Sequence, residues 1–214
     1  MKTLRIHEIY ASLQGESTYA GLPCVFVRTT GCPLRCTYCD TTHAFFDGED
    51  LPLDLVVERV LGFGLPLVEI TGGEPLIQKN VLPLIATLCD SGQQVLLETS
   101  GAFDIAEVDP RTRIIMDIKC PDSGEAERNL WQNLESLKPT DEIKFVLASR
   151  RDYEFAQQEI ERRKLADRYQ VLLSVVFDGL AAKDVAAWML EDKLNVRFQL
   201  QLHKFIWDSD ARGV

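Results

Sequence analysis

Seven apolar runs recur along the chain: Val25–Arg28, Leu67–Thr71, Gln94–Glu98, Arg113–Ile118, Glu142–Leu147, Gln170–Val176 and Val196–Leu202. Between them lie stretches whose apolar residues fall at helical spacing: Asp54–Leu61, Asn80–Cys89 (halted at Ser91-Gly92), Glu125–Leu137, Asp152–Leu165 and Ala181–Leu190. Near-continuous apolar strands are those buried on both faces, and strands separated by helices pair in parallel through crossovers. A full eight-fold barrel of strand–helix units runs to about 250 residues. A chain of 214 residues with seven such strands is therefore expected to be α/β, a shortened, open (β/α) barrel with parallel strands. One domain over 1–214 is the natural expectation, and that length can bury a sizeable core.

In such folds chemistry gathers at the C-terminal ends of the strands. Polar groups recur there: Thr71-Gly72-Gly73-Glu74, Glu98-Thr99-Ser100-Gly101, Asp117-Ile118-Lys119 and, after the last strand, His203-Lys204. Each set alone reads as a cap or turn; their recurrence at successive strand ends points to a ligand on one rim.

The loop after the first core strand is the most specific of these. It reads Gly31-Cys32-Pro33-Leu34-Arg35-Cys36-Thr37-Tyr38-Cys39-Asp40-Thr41, with spacing C-x3-C-x2-C. Three thiolates this close can hold three irons of a [4Fe–4S] cluster, which ordinarily takes four cysteines. The missing fourth leaves one iron open to a small molecule with amino and carboxylate groups. The competing reading is structural zinc on Cys32, Cys36, Cys39 and His43. Zinc modules of that kind lean on the metal for folding, and a chain with its own core has no such need. Zinc also leaves unexplained Ile70-Thr71-Gly72-Gly73-Glu74-Pro75, where glycines let a ligand approach the backbone and Glu74 can accept from an ammonium group. Cys24, Cys89 and Cys120 stand apart from the loop and read as small core residues.

Composition sets the remaining limits. A net charge of −10 argues against a broad nucleic-acid surface. No stretch is apolar enough to span a membrane, and Met1–Glu8 lacks a signal-peptide core, so a cytoplasmic protein with reduced thiols is expected.

The cysteine loop resembles that of the radical S-adenosylmethionine (AdoMet) enzymes. A longer set of segments resembles one family among them, the 7-carboxy-7-deazaguanine synthases: Ser12-Leu13-Gln14-Gly15-Glu16, Phe26-Val27-Arg28, Gly31-Cys32-Pro33, Cys39-Asp40-Thr41, Ile70–Pro75 and Gln201-Leu202-His203-Lys204. The resemblance implies ring contraction of 6-carboxy-5,6,7,8-tetrahydropterin to 7-carboxy-7-deazaguanine with release of ammonia, in 7-deazapurine (queuosine) biosynthesis. It implies a reduced [4Fe–4S] cluster that cleaves AdoMet to a 5′-deoxyadenosyl radical, hydrogen abstraction from the substrate, and regeneration of AdoMet. It further implies Mg2+, an electron donor such as a flavodoxin or ferredoxin, and a homodimer, with no direct contact to nucleic acid or membrane.

Residue by residue, the resemblance implies cluster ligation by Cys32, Cys36 and Cys39, and Mg2+ at Thr41. It implies AdoMet contacts at Tyr38, Cys39, Asp40, Gly73, Glu74, Ser100, Asp117 and Lys119. Substrate contacts are implied at Leu13, Gln14, Gly15, Arg28, Thr71 and the terminal Val214. Many relatives carry Ser-Pro-Lys where this chain has Asp117-Ile118-Lys119, so the transfer is least direct at Asp117. Two other classes compete: an activating enzyme that makes a radical on a partner protein, which shares the cysteine loop, and a zinc-stabilised binding protein without catalysis.

Overall fold

The apolar runs form the strands of one mixed sheet in a computed structural model of the chain, which describes residues 2–209 and 211–213. The strands are β1 (Thr3–Leu13), β2 (Pro23–Thr29), β3 (Glu49–Pro52), β4 (Leu67–Gly72), β5 (Gln94–Thr99), β6 (Arg113–Ile118), β7 (Glu142–Leu147), β8 (Gln170–Val175) and β9 (Arg197–Phe198). They form a nine-stranded open sheet in the order β3-β1-β2-β4-β5-β6-β7-β8-β9. From β2 onward every neighbouring pair is parallel. The helices are α1 (Leu53–Gly62), α2 (Val81–Asp90), α3 (Arg150–Arg163), α4 (Leu165–Arg168), α5 (Ala182–Glu191) and α6 (His203–Ile206).

Strand alternation sorts side chains between two faces. On one face Val25, Val27, Val68, Ile70, Val95, Leu97, Met116, Ile143, Phe145, Val171 and Leu173 join the main core with Val56 and Val60 of α1 and Leu84, Ile85 and Leu88 of α2. On the other face Phe26, Leu96 and Ile115 form a small apolar floor with Cys24 and Leu67. Further along the same alternation stand Arg28, Thr71, Glu98, Asp117, Lys144 and Ser174, all on a cavity. The period-two pattern thus places an apolar base beneath a polar layer.

Three sequence expectations are corrected. The sheet has nine strands, because β1 and β3 add an antiparallel edge to the parallel array. Glu125–Leu137 is not an α-helix but two short 3-10 turns, Ala126–Arg128 and Trp131–Glu135. Tertiary hydrogen bonds override its helical pattern: Asn129 brackets the Lys119 backbone, Leu130 N–H donates to Gly101 O, and Asn133 Nδ2 donates to Phe103 O. The last strand shrinks to Arg197–Phe198, so His203 and Lys204 sit on the short α6 instead of a strand end. A hydrogen bond from Leu202 N–H to Gly15 O holds that helix against the turn after β1.

Candidate active site

The cysteine loop is fixed from three directions. Leu34 at its centre is 1% exposed. Gly31 N–H donates to Ala44 O at 2.8 Å, and Thr37 N–H donates to Ser123 O at 3.0 Å. Tyr38 reaches across to donate to Val146 O at the end of β7, 3.2 Å away. The three cysteine side chains remain half-buried and line a cavity of about 360 Å³. Burial pushes each thiol above its usual range, Cys36 to about 11, while the nearby Lys119 ammonium pulls the other way. They gain most from a metal that takes the thiolate form.

Zinc fits this arrangement poorly. A tetrahedral zinc holds its thiolates about 3.8 Å apart, given Zn–S bonds near 2.3 Å. Among the described residues, the trio of ligand atoms lying within 4.8 Å of one another is His7, Glu8 and His43, and the cysteine trio does not gather so closely. His43 also faces His7, with ring centroids 5.0 Å apart.

The Gly-Gly-Glu-Pro turn packs directly on this loop. Gly73 N–H donates to Thr29 O and Glu74 N–H to Gly31 O. A Cβ at Gly73 would stand 2.3 Å from Gly31 O and 2.7 Å from Cys32 Cβ, so only glycine allows the approach. Glu74 departs from expectation: its carboxylate is fully buried behind the cavity wall. It accepts from Leu76 N–H, Thr99 Oγ1, Ser100 N–H and Ser100 Oγ. The Ser100 hydroxyl commits its proton to Glu74 and accepts from Ala102 N–H, which leaves one acceptor lone pair for the cavity it lines.

Next to this wall, on β6, Asp117 Oδ2 pairs with Lys119 Nζ at 2.6 Å. Asp117 Oδ1 is buried with no hydrogen-bond partner. Orphaned acceptors at that depth are rare and call for a ligand. The polar layer also includes Lys144 Nζ, 2.8 Å from Glu16 and in closer contact with Glu98. Burial works against the Lys144 charge, but Glu16 and Glu98 outweigh it and hold the ammonium protonated. Thr71 Oγ1 donates to Glu98 at 3.1 Å. Gln14 Nε2 donates to Glu69, which is 3% exposed. Arg28 pairs with Glu8 at 2.7 Å and donates to Tyr10 Oη at 3.0 Å. Thr41 Oγ1 donates to Asp40, whose carboxylate pairs with Lys204 at 2.9 Å.

The structure thus brings Leu13, Gln14, Gly15, Arg28, Cys32, Cys36, Tyr38, Cys39, Asp40, Thr41, Thr71, Gly73, Ser100, Asp117 and Lys119 onto one cavity. Glu74 stands behind its wall, and Val214 lies outside the described residues. Sequence reasoning missed Glu69 and Lys144 and gave Glu16 no role. For Glu69 and Lys144 the signal was a charge inside an otherwise apolar strand, as in Leu67-Val68-Glu69-Ile70 and Ile143-Lys144-Phe145.

Burial, and then the Glu98 charge, hold the Glu69 carboxyl well above its ordinary 4.5. A carboxyl whose folded pKa is raised contributes stability below the unfolded value and loses it as pH rises through the folded one. Glu69→Gln removes that loss. The variant should match the wild type near about pH 4 and become progressively more stable relative to it toward about pH 8. Urea midpoints across this range check it, and parallel curves would refute the buried neutral carboxyl.

Known proteins resemble this chain in sequence and in fold. Residues 26–117 match the model of the Radical SAM superfamily. The chain is 46% identical over 214 residues to the 7-carboxy-7-deazaguanine synthase of Chlorobaculum tepidum, covering 99% of this chain and 97% of that one. It is 43% identical to the enzyme of that name from Koribacter versatilis, covering 99% and 100% respectively. The crystal structure of QueE from Escherichia coli superposes with a TM-score of 0.78 at 26% identity, over 95% of this chain and 96% of that one. Identity of this extent, over nearly the whole length of both chains, shows that this chain belongs to the 7-carboxy-7-deazaguanine synthase family of radical AdoMet enzymes.

Proposed function

We propose that this chain contracts the ring of 6-carboxy-5,6,7,8-tetrahydropterin to 7-carboxy-7-deazaguanine with release of ammonia, as one catalytic unit spanning residues 1–214. The single observation that carries the reading is the seam between Gly73 and the Gly31-Cys32 backbone. It sets the cysteine loop beside a cavity with an unpartnered buried acceptor. Family membership implies a [4Fe–4S] cluster and AdoMet. Bound together they supply the 5′-deoxyadenosyl radical that takes hydrogen from the substrate.

The chain's own residues bind, orient and exclude water. Cys32, Cys36 and Cys39 would hold the cluster through their thiolates. The remaining lone pair of Ser100 suits the methionyl ammonium of AdoMet, and Glu74 orients that hydroxyl from behind. In this reading Asp117 accepts from ribose hydroxyls; its unpartnered Oδ1 and the Lys119 ammonium on its other oxygen support that role. Tyr38, Asp40 and Gly73 complete that half of the cavity.

In the other half, Leu13, Gln14 and Gly15 border the pterin. Gln14, protonated Glu69, Glu98 and charged Lys144 offer both donors and acceptors to its amide edge. Arg28 has the planar fork suited to the substrate carboxylate. Thr71 bridges the two halves through Glu98. The family resemblance adds Val214 as a substrate contact.

Mg2+ belongs to the same reading, held by the Thr41 hydroxyl and ligand oxygens, since this ion takes few protein groups. Thr41→Ala should weaken the magnesium dependence of turnover while leaving cluster iron unchanged. An unaltered magnesium titration would remove Thr41 from the site. A flavodoxin or ferredoxin as reductant, a homodimer and a cytoplasmic setting also belong to the reading, and family likeness is their support. The direct test is anaerobic incubation of the reduced enzyme with AdoMet and carboxytetrahydropterin. The deazapurine and ammonia should form without net loss of AdoMet, and absence of the deazapurine would reject the assignment.

A further inference from the structure

We propose that His7, Glu8 and His43 form a binding site for a divalent transition-metal ion of the zinc class, in the wall between the main cavity and a smaller neighbouring one. Their ligand atoms lie within 4.8 Å of one another, close enough for modest side-chain rotation to close them on one ion. Glu8 and His43 line the main cavity, and His7 and Glu8 line the neighbouring cavity of about 270 Å³.

A backbone irregularity makes the convergence possible. Neighbouring residues of a regular strand point to opposite faces, so His7 and Glu8 would ordinarily diverge. The register of β1 against β2 slips between Ile6 and Glu8, where a bulge inserts His7 as an extra residue. Bulges of this kind re-aim side chains beside functional sites.

The hydrogen bonding of His7 independently points to a metal. Its Nδ1 lies 3.0 Å from Asp47 O. A carbonyl oxygen only accepts, so Nδ1 carries a proton, and in the neutral ring the lone pair is on Nε2. Metal-ligating histidines are held this way, with the second ring nitrogen donating to a backbone carbonyl or carboxylate. Glu8 gives one oxygen to Arg28 and retains a second for the ion.

Two imidazoles and a carboxylate suit zinc, cobalt or ferrous iron, whereas magnesium prefers an all-oxygen shell. Three protein ligands leave a coordination position open to water or to an anionic oxygen donor. The site is distinct in donor chemistry from both the cysteine loop and Thr41.

The test uses cluster-loaded protein, dialysed anaerobically against micromolar ZnCl2 with excess MgCl2, with zinc and iron counted together. One zinc per chain should bind with iron unchanged. Zinc-edge X-ray absorption should show nitrogen and oxygen neighbours near about 2.0–2.1 Å and no sulfur shell near about 2.3 Å. His7→Gln and His43→Gln should each keep their iron and weaken zinc binding at least about tenfold. The proposal is overturned if no zinc binds, if zinc enters only as iron leaves, if sulfur surrounds it, or if both variants bind it like the wild type.

Discussion

Cys36→Ala should give a folded protein that cannot hold its cluster: iron falls to background after anaerobic reconstitution and turnover falls with it. Cys36 is half-buried, and its thiol is held above its usual range, to about 11, chiefly by burial. Losing that small side chain should change the stability of the metal-free protein by no more than about 1 kcal/mol. The loop's position is set elsewhere, by buried Leu34 and by the Gly31 and Thr37 backbone bonds. Cys89→Ala is the matched control, because Cys89 packs against the main core away from the cavity. It should retain full iron and turnover. Iron retained by Cys36→Ala, or lost from Cys89→Ala, would mean that the cluster sits elsewhere.

Gly73→Ala should disable the site by geometry alone. The added methyl would lie 2.3 Å from Gly31 O and 2.7 Å from Gly31 C and Cys32 Cβ. The first two are backbone atoms, so the strand end and the cysteine loop must part. Overpacking of this kind costs about 1–3 kcal/mol. A displacement of about 1 Å at a reacting centre can cost about a hundredfold in rate. Turnover and AdoMet affinity should therefore fall together, while iron remains near the wild-type level because the thiols are intact. Gly62→Ala at the end of α1 meets no atom within 4 Å and should leave activity unchanged. Wild-type turnover in Gly73→Ala would dissolve the seam on which the functional reading rests.

The parallel half of the fold was legible because its strands are buried on both faces and so carry near-continuous apolar runs, as in Val25-Phe26-Val27 and Val171-Leu172-Leu173. The antiparallel edge was not. In β1 the bulge at His7 breaks the two-residue period, and β3 reads Glu-Asp-Leu-Pro, a short acidic edge that hides its strand character. The helical pattern of Glu125–Leu137 lost to side-chain bonds from Asn129 and Asn133, which sequence periodicity does not encode.

The candidate site divides along similar lines. The cysteine loop and the glycine turn announce themselves locally, through spacing. The polar layer depends on register: Asp117 aligns with Lys144 only when β6 and β7 pair, and Glu16 reaches Lys144 from a turn far away in sequence. Glu74 is the opposite case, a motif residue legible in the sequence whose inward turn to Ser100 depends on the pairing of β4 with β5.

The most direct test of the central claim, an iron–sulfur cluster with one iron free to bind AdoMet, is electron paramagnetic resonance of the anaerobically reconstituted protein. After dithionite reduction the account predicts a paramagnetic cluster signal whose g-values shift when AdoMet is added, in a sample holding about four irons per chain. A silent spectrum with stoichiometric zinc on the cysteines, or a cluster signal indifferent to AdoMet, would contradict it.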